Sequence, residues 1–275
     1  MSIDEIIFWL TDPIRASLPG TLAADALWHG RMAVLGAGVL LPLGVLGARY
    51  FKILPGQDWP RELDRRHWWV AHLAFGYAGV LVTLASLAPV VRDLLQAEIG
   101  TSHFAEPHGW FGWIALALLL SIVWNGWQRG TRGGPSRPAP PGSLGPLHGV
   151  AGDHYDMTER RRWFEHSHRL LGYLTLAVAA AAVVSGLWRI NAPRWALVFV
   201  AAWWILLLLL AWRWEREGRC VDSYQATWGP GMEHPGNRVP VAGWGVRRYT
   251  EEEFRRLRWT RPPTGGRRTG AQGRP

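Results

Sequence analysis

Four histidines stand where an apolar stretch of the chain begins: His29, His72, His108 and His168. An ionisable ring at the mouth of a membrane helix is costly and so is usually kept for a task, with a partner. Two neutral imidazoles facing each other can hold an iron porphyrin by both of its axial positions. Four residues after each histidine, one turn along the same helical face, come Ala33, Gly76, Gly112 and Gly172. Glycine is unfavourable inside a helix, so small residues in this register point to a flat group leaning on the backbone. Close helix packing is the plainer explanation for any one of them. Arg31 and Arg169 follow a histidine by two residues and by one. Either could meet the acid groups of such a cofactor, or simply snorkel to lipid headgroups.

The elements that would position these rings are long and apolar. About 30 Å of hydrocarbon needs roughly 20 residues of helix, and five stretches qualify: Trp28–Ala48, Trp68–Val91, Trp110–Trp127, Trp163–Trp188 and Trp195–Trp212. Tryptophan at their ends suits rings anchored at the headgroup level. Pro42 and Pro89 fall within or near the ends of spans, where a bundle tolerates them. The mean hydropathy of −0.02 averages these spans with connecting stretches rich in Arg, Gly and Pro. The expected fold is an all-α integral membrane bundle of five transmembrane helices, four of them forming a di-haem core.

Five spans place the termini on opposite sides, here called side A (N-terminal) and side B. Successive spans alternate in direction and each histidine lies near the start of its span. His29 and His108 therefore share side A, and His72 and His168 share side B. Side A carries Arg15, Arg31, Arg92, Arg189 and Arg194; the rest of the 30 lysines and arginines fall on side B. The loop 49–66 alone has Arg49, Lys52, Arg61, Arg65 and Arg66. The positive-inside rule makes side B cytoplasmic. The net charge of +9 thus reads as topology and attraction to anionic lipid, with no nucleic-acid partner expected.

The domain reading is an N-terminal segment 1–27, a four-helix core 28–190, a fifth span 191–212 and a basic cytoplasmic tail 213–275. Residues 129–162 read as a Gly/Pro linker. In the tail, 249–259 has the pattern of a short helix and the last dozen residues that of disorder. The single cysteine, Cys220, excludes a disulfide framework and a CxxCH attachment, so any haem is non-covalent. The N-terminus lacks the basic region and cleavage site of a removable signal peptide. His67 reads as interfacial, and His103 as a substrate or proton group or a loop residue. His166 points to a different helical face from His168. No role is assigned to His148, His154 or His234.

These residues resemble the cytochrome b561 family, in the branch whose membrane domain is often fused to a DOMON domain. WHGRMAVLGAGVLLPLGVLGARYFK, from Trp28, is similar to that branch's His-Gly…Met…Pro-x-Gly…Ala-Arg-Tyr pattern. WWVAH at 68–72 matches the start of its next helix, HGWFGWIALALLLSIVWNGWQRG the third, with Gln128 near the exit, and WFEHSHRLLGY at 163–173 the fourth. The resemblance spans residues 28–190. It implies that His29 and His108 ligate one haem b and His72 and His168 a second. There are departures: no DOMON domain, no sixth helix, no match to the basic segments linked with ascorbate, and Phe75 where the family has Gln.

The implied function is transmembrane electron transfer through two bis-histidine haems, with donor and acceptor open among small molecules, quinone and redox proteins. A haem b subunit passing electrons between quinone and a partner dehydrogenase is an alternative. A haem-free scaffold is another, but a transporter should show broken helices with polar mid-membrane residues, which these spans lack. The use of Arg over Lys points to a GC-rich bacterial genome and so to a bacterial inner membrane.

Overall fold

A computed structural model describes residues 2–15, 24–96, 106–130 and 153–260 of the chain. His103, His148, most of the 129–162 linker and the end of the tail lie outside the described residues. Five helices are long and apolar enough to cross a membrane: Ala24–Tyr50, His67–Leu95, Pro107–Trp127, Glu159–Arg189 and Arg194–Arg216. They overlap the five expected spans and extend them at the ends. No strand occurs among the described residues. Between 11% and 22% of each apolar span is buried inside the protein, and side chains such as Phe199, Leu81 and Leu208 face outward. An apolar exterior of this extent is stable only against lipid, and the chain is an integral membrane protein.

The two prolines reshape their spans. Within the first span, residues Val34–Leu40 form a π-helical segment that runs into Pro42. A proline has no N–H for the carbonyl four residues earlier, here Gly38. Two indoles of the fifth span take that donor's place: Trp203 Nε1 at 3.1 Å and Trp204 Nε1 at 3.0 Å donate to the Gly38 carbonyl. In the second span the helix breaks after Ser86 and resumes at Ala88, because Pro89 cannot bond to Ala85. The Ala85 carbonyl instead accepts Trp28 Nε1 at 3.3 Å.

The first and second spans cross closely. A Cβ on Gly36 would come within 2.7–2.8 Å of backbone atoms of Thr83 and Gly79, so only glycine fits. On side A a short helix, Ile3–Thr11, has a capping box at Ser2 and Glu5 and leaves Ile3, Ile7 and Phe8 exposed. Backbone bonds from Arg194 to Asp12 and from Ile14 to Ala192 tie it to the start of the fifth span.

On side B the chain builds a folded cap. Ile53 and Trp59 of the first loop join Val221, Ala226 and Phe254 of the tail in one apolar core, with Tyr249, Leu257 and Trp259 packed on it. Asp222 caps a helix at Ser223–Trp228, and Thr250 with Glu253 forms a capping box on a helix at Glu251–Arg256. The latter is the short helix expected within 249–259. Arg248 pairs with the buried Asp222 at 2.7 Å and donates to the carbonyls of Gly236, Asn237 and Val239. The described part of the tail, up to residue 260, thus contributes to a packed core.

Candidate functional site

The four histidines meet in two pairs, one at each end of the bundle. The His29 and His108 rings face each other with centres 5.9 Å apart and planes at 77°. The His72 and His168 rings stand 6.1 Å apart, also at 77°. An imidazole nitrogen binds a first-row metal at about 2 Å. With each donor nitrogen about 1.2 Å from its ring centre, two imidazoles on opposite sides of one metal have centres roughly 6 Å apart. Both pairs have that spacing. Among the described residues no three His, Cys, Asp or Glu side chains converge on a common point. Among these residues each site thus offers two imidazoles, one from each of two helices.

Each ring is oriented by an acceptor on a different helix from its own. His29 Nδ1 lies 2.8 Å from the Ser86 carbonyl, at the break made by Pro89. His72 Nδ1 lies 3.1 Å from the Gly44 carbonyl, and His108 Nδ1 2.9 Å from that of Ala182. His168 Nδ1 lies 3.2 Å from Asn125 Oδ1, while Asn125 Nδ2 donates to Ser167 Oγ at 3.0 Å. A carbonyl only accepts, so each Nδ1 carries the proton and each Nε2 keeps its lone pair. That tautomer is the one a metal needs, with the second nitrogen held by an outer partner.

Space follows the same pattern in part. A Cβ added at Gly76 or Gly112 would meet nothing within 4 Å, which leaves room for a flat group. At Gly172 the Cβ would lie 3.2 Å from Ile122 Cδ1, so this glycine also serves helix packing. Ala33 is half-buried. Gly186 and Gly126, not singled out by the sequence, lie directly against ligand-pair rings, with hypothetical Cβ contacts of 2.9 Å to His108 and 3.5 Å to His168.

Around the side-B pair lies a cavity of about 480 Å³. Its walls include Leu73, Val80, Leu119 and Phe164, and its outer end Arg49, Lys52, Arg129, Arg161 and Arg169. A pocket that is apolar inside and basic at one end suits a planar, largely apolar molecule bearing carboxylates at one edge. The basic end is itself ordered by Glu165, 4% exposed, which pairs with Arg161 at 3.0 Å and with Arg169 at 2.8 Å. Arg169 also donates to the Ala242 carbonyl of the cap. Arg49 pairs with Glu215 and donates to Tyr173 Oη at 2.6 Å. Arg31, by contrast, is exposed at the side-A end.

Of the other described histidines, three are placed apart from the pairs. His67 Nε2 lies 2.6 Å from the Phe51 carbonyl, His166 is exposed and His234 sits 3.5 Å from Glu233. His154 is buried at the cavity wall, which a loop position in sequence did not reveal. The spacing of Arg161, Glu165 and Arg169, four residues apart each time, was the available signal for the buried charge cluster.

Fold and site together define a membrane-embedded helical bundle with a pair of facing histidines at each end. The chain is 28% identical over 159 residues to a cytochrome b561, DM13 and DOMON domain-containing protein of Arabidopsis thaliana. The match covers 58% of this chain and 14% of the relative, so the chain corresponds to only a small part of that protein. This similarity supports the cytochrome b561 family at low identity. No family model matches the chain, and no solved structure does.

Proposed function

We propose that the chain carries electrons across a bilayer, with His29 and His108 ligating one haem b near side A and His72 and His168 a second near side B. The observation that carries this reading is the tautomer. In two facing pairs, at a spacing that fits one metal each, every Nδ1 faces an acceptor, so the proton sits on Nδ1 and Nε2 is the unprotonated nitrogen. If bound there, haem b would be held by His29 and His108 or by His72 and His168, and it would supply a one-electron iron couple suited to electron transfer.

The protein's part is to hold and tune. Gly76, Gly112 and Gly172 let a macrocycle lie against the helices. Arg49, Arg129 and Arg169 place positive charge at the open end of the side-B cavity, where carboxylates of the group would lie, and Arg31 is the corresponding candidate on side A. The apolar walls exclude water and so stiffen the electrostatics of the site. The basic excess supports a cytoplasmic side B, and the use of Arg over Lys supports a bacterial inner membrane. The electron donor and acceptor are a small molecule, quinone or redox protein meeting these two faces.

A pyridine haemochrome assay with a reduced-minus-oxidised spectrum tests the reading: two haem b per purified chain are expected, and none would overturn it. His29→Ala and His72→Ala should each abolish a different haem. Loss of the same one from both variants would refute the pairing.

A further inference from the structure

Of the chain's 30 lysines and arginines, Lys52 alone is a lysine. It is also among the least exposed of them, at 6%. It lies two residues past the first span and lines the cavity that contains His72 and His168. Its ammonium donates to the Arg49 carbonyl at 3.3 Å and stands 6.0 Å from the Trp68 ring. The charged and titratable groups around it come from every neighbouring element: Arg49 from its own segment, His72 from the second span, Glu165 and Arg169 from the fourth, Cys220 and Asp222 from the cap.

Both nearby carboxylates are already committed, Asp222 to Arg248 and Glu165 to Arg161 and Arg169. Lys52 makes no ion pair of its own among the described residues. Burial, which outweighs the attraction of Cys220, Asp222 and Glu165, holds its ammonium down to about 8, so its proton is exchangeable near neutrality. Arginine at this position would stay charged throughout. The neighbouring Cys220 thiol cannot take the same part, because burial pushes it up and keeps it already protonated.

We propose that Lys52 is a redox-linked proton site: when one electron is added at the His72–His168 site, the Lys52 amine takes up one proton from the side-B aqueous phase. The inference rests on the haem reading above. The electron comes from a one-electron donor, a dithionite-poised mediator in the test below, and the proton from water. One N–H bond forms, one negative and one positive charge enter the cavity together, and both leave on reoxidation. Charge added at the site stabilises the ammonium through a water-poor medium, where such interactions are screened little.

The test is potentiometric, on the full chain in detergent between pH 6.5 and 10, following both haems optically. The side-B midpoint should be level below about pH 8 and then fall, approaching a tenfold change in the oxidised-to-reduced ratio per pH unit, about 59 mV for one electron. The side-A midpoint should not follow it in that range. Lys52→Arg should abolish the slope while keeping a high potential. Lys52→Met should abolish it at a lower potential, and Cys220→Ser should behave as the parent. With uniform ¹³C-lysine labelling, one side-chain signal reports Lys52 directly, and its titration midpoint should rise on reduction. A level potential in the parent, a slope surviving in Lys52→Arg, or an unmoved lysine midpoint would each overturn the proposal with the haem reading intact. Absence of haem from the preparation would overturn both.

Discussion

At the residue scale, the proposed function rests on which nitrogen of each imidazole carries a proton. Three of the four rings are set by backbone carbonyls and one by a side chain, Asn125. That difference makes Asn125 the testable member. Asn125→Leu leaves the His168 Nδ1–H without its acceptor, and loss of such an outer partner typically costs about 10–100-fold in affinity. Haem titration of the apo-protein should show weakened side-B binding with side A unchanged. Lys52 has a thermodynamic consequence as well. Its folded value near 8 lies below the ordinary 10.5, so the unfolded chain holds more protons between those values. Stability should therefore rise with pH across that window and show no such contribution below it. Lys52→Met should lose this dependence in thermal unfolding scans. The histidines were legible because topology alone sorts them by side. Asn125 was not, since one amide near the end of a span reads like any interfacial polar residue.

At the scale of elements, the two prolines do more than bend helices. Pro89 opens the second span just where His29 finds the Ser86 carbonyl and Trp28 that of Ala85. Pro89→Ala would restore a donor for Ala85 and close the break, so it should shift the side-A haem spectrum or reduce its occupancy, with side B unaffected. Pro42 exposes the Gly38 carbonyl that holds both Trp203 and Trp204. A net hydrogen bond is worth about 1 kcal/mol. The double replacement of both indoles by Phe should loosen the fifth span by roughly twice that, measurable as a lower midpoint of denaturation in detergent. The sequence shows both prolines in apolar stretches; it does not show which distant side chains answer the freed carbonyls, because that depends on how the spans cross. Gly172 teaches the complementary point. Its place four residues after His168 matches the other glycines, yet Ile122 presses on it, so one spacing can serve packing and pocket alike.

At the scale of the whole molecule, the two ends of the bundle are finished differently. Side A carries a short apolar helix beside the fifth span, whereas side B is covered by a cap with its own core. Phe254 is 2% exposed there, with its ring 4.5 Å from Trp59. Removing such an aromatic costs about 3–5 kcal/mol. Phe254→Ala should unseat the cap and admit water to the side-B cavity, lowering that haem's potential relative to side A, since water favours the more highly charged oxidised state. Equal shifts at both haems would argue against a local cover. The five spans could be read from their apolar length. The cap could not, because its core is drawn from residues 53 and 59 at one end of the chain and 221–259 at the other, with no periodic pattern in either.

That cap also sets an order of events during synthesis. His29 and His108 have both left the ribosome before His168 exists, and His168 precedes Phe254 by a further stretch of chain. A protein made from its N-terminus at about 5–20 residues per second completes its side-A histidine pair first, its side-B pair second, and the cover over the side-B pair only at the end. The side-B cavity therefore stays uncovered until the last segment folds back over it.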